Sequence, residues 1–379
     1  MRVLIMVPYL PMNLSNIKGG VHAAVVHLLN GFQDMNIQVR VVSLNQEIDK
    51  EVLVPYNQNI EIAFCPIGPY KYSSVNYLLH SSTVLRKHIT EFNPDIIHYQ
   101  IGGTLLFSKL RGLKHRKHLI TIHGLASAEA KVEKRMKKKI ALYYNSIIGF
   151  LLLPRRVIHI SEYSKKIVNL NGNSQQAVIY NAVSPHFFDL PVKQKTNNKL
   201  LYVGVINTRK NLLLLLEAMQ ELRTARKAYK LDIIGDFEEG DTYREDIKKF
   251  IDENNLGSDL TFHGWKSQEE LSGLLKDADI LVLPSKQETL PMSIAEAMAA
   301  GKVVVSTKVG GIPEMISTGI DGFLFNVDNK KELVQILDVA YNNDEQMSLV
   351  ANQARQTATE KYHCRSIAQK TLDFYKKIA

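Results

Sequence analysis

The sequence predicts an α/β protein of two doubly wound halves, and three observations predict it. Short runs rich in Val, Ile and Leu alternate with segments of helical period. The alternation restarts near the middle of the chain, and 379 residues suit two to three domains. Strands apolar on both faces and joined by helices imply a parallel sheet covered on each side.

In the first half, strands are predicted at 3–7, 39–44, 96–99, 119–122, 157–160 and 177–180, with helices at 21–33, 75–91, 104–110, 128–153 and 162–170. In the second, strands are predicted at 200–203, 231–234, 260–262, 280–283, 303–306 and 323–325. Helices at 211–228, 242–254, 268–276, 292–300 and 331–340 lie between them, and two more follow. The polar, aperiodic interval 190–198 reads as a linker, which divides the chain into 1–190 and 191–379. Two such halves would face each other across a cleft between the carboxyl edges of their sheets, where α/β folds bind ligands.

Composition narrows the class. Hydrophobic residues at 45% and charged residues at 22% exclude a disordered chain. The two cysteines, Cys65 and Cys364, form no Cys-x-x-Cys, so neither a thiolate metal site nor a disulfide framework is expected, and a reducing compartment fits. The apolar start at residues 3–7 is too short for a secretory signal. The longest apolar stretch, 140–153, is interrupted by Asn145 and Ser146 and falls short of the roughly 20 residues of a membrane span. A cytoplasmic protein is expected, soluble or peripheral on the inner face of a membrane.

Charge is unevenly placed. Residues 1–190 hold 22 Lys and Arg against 11 Asp and Glu, whereas 191–379 hold 25 against 27. The excess points to an anionic partner for the first half. The basic run 131–139, which begins at Lys131 and ends at Lys139, leads into the apolar stretch. That combination fits a helix on an anionic membrane surface, and equally a core helix with a solvated basic end. Nucleic acid is not expected, because no stacking aromatics interleave with the charges.

The chemistry-bearing segment is 288–296, ETLPMSIAE, which follows a strand and opens a helix. Glu288 falls in the loop at the carboxyl edge, Pro291 near the helix start, and Glu296 about one turn inside. Two carboxylates beside free backbone N–H groups suit a ligand carrying hydroxyls and phosphate, though two surface glutamates fit the spacing as well. Asp277 and Asp279 match an Asp-x-Asp metal motif, but they join a helix to a buried strand at the amino edge, and no metal is expected. No dinucleotide fingerprint, phosphate-binding Walker loop or His-Glu-x-x-His is present.

The residues around this segment resemble a family. Glu-x7-Glu, then AMAAG at 297–301, VVVST at 303–307 and GGIPE at 310–314, look like the retaining family 4 glycosyltransferases of the GT-B fold. The likeness continues through Gly19-Gly20, PDIIH at 94–98, TIHG at 121–124, ISEYS at 160–164, IYN at 179–181, YVG at 202–204, Arg209-Lys210-Asn211, IGD at 234–236 and FHG at 262–264. It runs in family order from residue 1 to about 330.

The resemblance implies two Rossmann-like domains, an acceptor-binding one over 1–190 and a nucleotide-sugar-binding one over 191–379, with the last helix, about 362–379, crossing back onto the first. It implies catalytic roles for His123, Glu288, Lys210 and Arg209. Glu288 would hold donor-sugar hydroxyls, and Glu296 the ribose. Lys210 and Arg209 would contact the diphosphate, with Arg209 standing in for an Arg that many members place where this chain has Val205. Gly19, Gly20, Leu290, Pro291, Met292 and Trp265 complete the implied donor site.

The implied function is a metal-independent, retaining transfer of a sugar from a UDP- or GDP-linked donor. The acceptor would be a glycan or lipid-linked molecule, in cell-surface polysaccharide or glycolipid synthesis. The donor is a substrate, and no cofactor is implied. The alternatives are a two-lobed nucleotide-sugar-binding protein without catalysis, and a sugar-nucleotide epimerase of the same fold.

Overall fold

The computed structural model describes residues 1–17, 19–45, 47–67, 75–100, 117–170, 172, 174–192 and 197–379. The chain forms two compact units. The first comprises Met1–Ser127, Ile140–Ala182 and Cys364–Ala379, and the second Ala128–Lys139 and Val183–His363.

In the first unit, strands β1 (Arg2–Val7), β2 (Gln38–Asn45), β3 (Val52–Pro55), β4 (Ile60–Pro66), β5 (Ile96–Tyr99), β6 (Lys117–Ile122), β7 (Arg156–His159) and β8 (Gln175–Val178) form one sheet. Its order is β3-β4-β2-β1-β5-β6-β7-β8, parallel except for the β3–β4 pair. Alternate residues of β1 enter different cores. Val3, Ile5 and Val7 pack with Phe32, Leu372 and Tyr375, while Leu4 and Met6 pack with Leu85, Ile89 and Tyr99. Helix α1 (Gly20–Phe32) and the chain-terminal helix Cys364–Ile378 thus cover one face, and α2 (Val75–Phe92) the other. Burial on both faces is why these strands read as solid apolar runs.

Two strands escape the sequence pattern. β3 carries a proline and lies exposed at the sheet edge, and β4 begins by alternating Ile60, Glu61 and Ile62. The helix predicted at 104–110 and the basic residues from 109 to 116 lie outside the described residues.

The single helix predicted over 128–153 is two helices, α3 (Ala126–Val132) and α4 (Met136–Leu152). The break has a local cause. The Glu133 carboxylate accepts from the Arg135 backbone N–H at 2.9 Å and from its guanidinium at 3.1 Å, so the chain turns between the helices. Helices α5 (Glu162–Val168) and α6 (Pro185–Phe188) follow.

The second unit has β9 (Lys199–Val203), β10 (Lys230–Ile234), β11 (Leu260–Gly264), β12 (Ile280–Leu283), β13 (Val303–Thr307) and β14 (Phe323–Phe325). They form an all-parallel sheet of order β11-β10-β9-β12-β13-β14. Helices α7 (Leu212–Thr224), α8 (Tyr243–Glu253), α9 (Gln268–Asp277), α10 (Met292–Ala299), α11 (Ile312–Met315), α12 (Lys330–Tyr341) and α13 (Asp344–Tyr362) surround it, and α14 is Cys364–Ile378. Strand order reverses at β9, whose neighbours are β10 and β12, so this sheet has its switch point beside the β9 and β12 loops.

The division in space falls between Ala182 and Val183, and residue 190 lies inside the second unit. The described ends of the interval read as a linker are fastened there. Asn197 and Lys199 donate backbone N–H bonds to Asp279 Oδ2, each at 2.8 Å, and Arg355 donates to the Leu190 carbonyl. Sparse apolar periodicity makes the interval look like a boundary, but these polar bonds hold the residues on either side of 193–196.

Candidate active site

The second unit builds its site from loops at the carboxyl edge of adjacent parallel strands. The β9–α7 loop carries Arg209 and Lys210, and the β12–α10 loop carries Gln287 and Glu288. The Lys286 N–H donates to the Arg209 carbonyl at 2.8 Å, which zips the loops together. Lys210 is positioned by Asn207, whose side-chain oxygen accepts its backbone N–H at 2.9 Å. Asn207 in turn donates to Glu238 at 2.7 Å.

These constraints bring three charges to one point. The Lys210 ammonium lies 2.7 Å from Glu288 Oε1, and Arg209 Nη1 lies 3.4 Å from the same oxygen and 3.0 Å from the Gln287 carbonyl. Glu288 is 6% exposed. Burial pushes its carboxyl upward, but Lys210 and Arg209 outweigh it and hold the group below the ordinary carboxylate range. Burial draws the Lys210 ammonium down. The cluster keeps Glu288 ionised and is rich in donors suited to an anion.

Glu296, 4% exposed in α10, is different. Among the described residues it is held by Gln268, the first residue of α9, whose amide donates at 3.4 Å. Burial pushes its carboxyl up to about 7. A buried acid with so weak a donor is suited to hydroxyls that donate to it.

This has a testable cost. Because the folded pKa lies above the unfolded value, the group opposes folding more strongly as pH rises from 4.5 to 7 and imposes no penalty below that window. Glu296→Gln is therefore expected to stabilise the protein by about 3 kcal/mol at pH 8 and by little at pH 4.5. Urea unfolding at both pH values checks this, and an equal effect at the two would sink the idea.

In the first unit, His123 follows β6, and its Nε2–H donates to Gln100 Oε1 at 2.7 Å. Burial, partly offset by Asn181, brings the imidazole down to about 4, so it is neutral at pH 7. Behind it, His98 bonds Thr121 at 2.7 Å and Tyr375 at 2.6 Å and is lowered by burial to about 3. Gly19, at φ 93, precedes α1, and Gly20 is its first residue; both are exposed.

Two family models match the chain in succession. Residues 18–187 match Glycosyltransferase Family 4, and residues 186–357 match Glycosyl transferases group 1. The chain belongs to the family 4 glycosyltransferases. An uncharacterized glycosyltransferase of Methanocaldococcus jannaschii is 25% identical over 334 residues, covering 86% of each chain. Among solved structures, sucrose-phosphate synthase from Thermosynechococcus elongatus superposes with a TM-score of 0.82 at 17% identity, over 100% of this chain and 98% of that one. Anabaena HepE in complex with UDP gives 0.74 at 16% identity, over 100% of both. The fold is therefore GT-B.

In this glycosyltransferase the structure joins Arg209, Lys210 and Glu288 by direct bonds. Leu290, Pro291 and Met292 follow in the same buried turn, with Pro291 capping α10. Trp265 is half-buried and stands three residues before Gln268. His123, Gly19 and Gly20 belong to the first unit and the other site residues to the second.

Sequence reasoning missed Gln268 and Gln287. Gln287 is buried with neither amide atom paired among the described residues, and its only sequence signal is its place beside Glu288. The metal reading of Asp277 and Asp279 finds the Asp279 carboxylate occupied by two backbone N–H groups. Glu51, Cys65 and His88 cluster within metal-ligand reach. However, Lys87 shares that carboxylate at 2.8 Å, and burial pushes the Cys65 thiol up to about 12.

Proposed function

We propose that the chain is a retaining glycosyltransferase that takes a nucleotide-sugar, UDP- or GDP-linked, and transfers the sugar to a glycan or lipid-linked acceptor. Its setting is cell-surface polysaccharide or glycolipid synthesis. The observation that carries this reading is the pairing of half-buried Arg209 and Lys210 with buried Glu288 at the switch point of the second sheet.

The second unit binds the donor. Glu288, kept ionised by its cations, accepts hydrogen bonds from sugar hydroxyls, and Glu296 takes those of the ribose. Lys210 and Arg209 meet the diphosphate, and the turn of Leu290, Pro291 and Met292 surrounds it. Trp265 lies toward the base. The likeness to a fold relative solved with UDP and with UDP-glucose supports a nucleotide-sugar.

The first unit binds the acceptor and supplies neutral His123, while Gly19 and Gly20 serve the donor. As the anomeric C–O bond to the diphosphate breaks, negative charge grows where fixed cations already stand. The acceptor oxygen bonds to the anomeric carbon on the face the diphosphate leaves, and its proton passes to a diphosphate oxygen. No metal is needed when Lys210 and Arg209 carry that charge.

The protein works in the cytoplasm at the inner face of a membrane. Among the described residues no helix is long and apolar enough to cross one. A panel of UDP- and GDP-sugars, assayed with EDTA present, tests the reading. Release of sugar from one donor is expected. Tight nucleotide binding without turnover of any donor would favour a binding protein, and interconversion of a donor without acceptor would favour an epimerase.

A further inference from the structure

Helix α4 carries seven large apolar side chains that face solvent. Met136, Ile140, Tyr143, Tyr144, Ile147, Phe150 and Leu151 are between 41% and 70% exposed. At 100° per residue they fall within an arc of roughly 120°, so they form one stripe. Their summed exposure is on the order of 600 Å² or more, at or beyond the top of the roughly 300–600 Å² range for a monomer's largest apolar patch. Lys137 and Lys139, in the first turn of the same helix, project just beyond the two borders of the stripe. Neither makes an ion pair among the described residues. Arg135 and Lys138, by contrast, are committed to Glu133 and Glu238. An apolar stripe edged by lysines matches an anionic bilayer surface, where the ammonium groups reach headgroups while the stripe enters the acyl boundary.

The other side of the helix walls a cavity of about 360 Å³ within the first unit. Asn145, Ser146, Gly149 and Leu153 lie on that wall, and Phe150 stands on the border between cavity and stripe. The cavity is otherwise lined mainly by apolar groups such as Ile120, Ile122, Leu125 and Ile167, and it reaches His123 and Gln100. Gly149 is informative. A glycine inside a helix costs stability, and here a Cβ would meet nothing within 4 Å. Packing within the protein does not demand the glycine, and its missing side chain leaves the cavity open.

We propose that this cavity holds the hydrocarbon chain of a lipid acceptor, drawn from an anionic bilayer on which the α4 stripe rests. The inference rests on the glycosyltransferase reading for one point only, that the acceptor's hydroxyl end lies toward His123. A volume of this size suits a chain of a dozen or so methylenes.

The test uses the full chain and two probes. A fluorescent dodecanoic acid reports on the cavity, and flotation with phosphatidylcholine–phosphatidylglycerol vesicles reports on the stripe. Saturable probe binding is expected, weakened at least tenfold by Gly149→Phe while vesicle binding persists. If that variant unfolds, Ser146→Phe fills the same space from the neighbouring turn. Ile140→Ser with Ile147→Ser is expected to cut vesicle binding at least tenfold and to leave the probe affinity unchanged.

Equal probe affinity in the cavity-filled variant overturns the cavity. Vesicle binding that survives loss of the stripe, with a dimer becoming a monomer, overturns the bilayer and assigns the stripe to a second copy. Donor hydrolysis to water, measured separately, decides the glycosyltransferase reading whatever the probes show.

Discussion

Glu288→Gln is expected to reduce transfer roughly 100- to 1,000-fold while nucleoside diphosphate binds as tightly as before, or more tightly. The structure gives the reason for the split. Glu288 Oε1 occupies Lys210 at 2.7 Å and Arg209 at 3.4 Å, so its charge competes with a diphosphate for the same cations. An amide keeps the shape and one acceptor but cannot hold the sugar hydroxyls of the transition state as strongly.

The same change leaves Lys210 buried without its counter-charge, which is expected to cost on the order of 3 kcal/mol of stability. The sign with pH follows from the pair. Glu288 titrates below its unfolded value, so its contribution is present above about pH 4.5 and is lost as pH falls through the folded pKa. The stability gap between wild type and variant therefore narrows in acid. Parallel loss of turnover and nucleotide affinity in calorimetry would remove Glu288 from the sugar site.

What could be read from the sequence follows what burial does to composition. Strands such as Val303–Thr307, covered on both faces, show as unbroken apolar runs and are found within a residue or two. Val52–Pro55 is exposed apart from Val54, which packs against the core, and is invisible to that signal. The site divides in the same way. Glu288, Lys210 and Arg209 stand out by residue type and family order, whereas their pairing depends on two loops nearly 80 residues apart.

The polar chain from His123 through Gln100 to His98 has no spacing that announces it. Helix α4 marks a different limit. Its period shows that an apolar face exists, but a face turned to a core and one turned to a bilayer have the same period. Only exposure separates them, and here it shows seven large side chains in solvent.

Gly310→Ala is the second change expected to disable the protein, and it acts without touching a charge. Gly310 sits at φ +57, and a Cβ built there would lie 1.7 Å from the Glu288 carbonyl oxygen. The neighbouring Gly311 N–H donates to that same oxygen at 3.3 Å, so the β13–α11 loop is the backing against which the Glu288 loop is set. An alanine cannot be absorbed by a side-chain rotation, because the obstacle is backbone.

The Glu288 loop must shift by an ångström or more, and displacement of that size costs about 100-fold in turnover. Strain and the lost backing together are expected to cost roughly 3 kcal/mol or more. Gly319→Ala separates the two effects. Gly319 also has a positive φ, +80, but nothing lies within 4 Å of its Cβ position. It should pay only the left-handed backbone cost, roughly 1–2 kcal/mol, with turnover unchanged. If both alanines lower turnover alike, the effect is general destabilisation. If only Gly310→Ala does, the close approach to Glu288 is what holds the carboxylate in place.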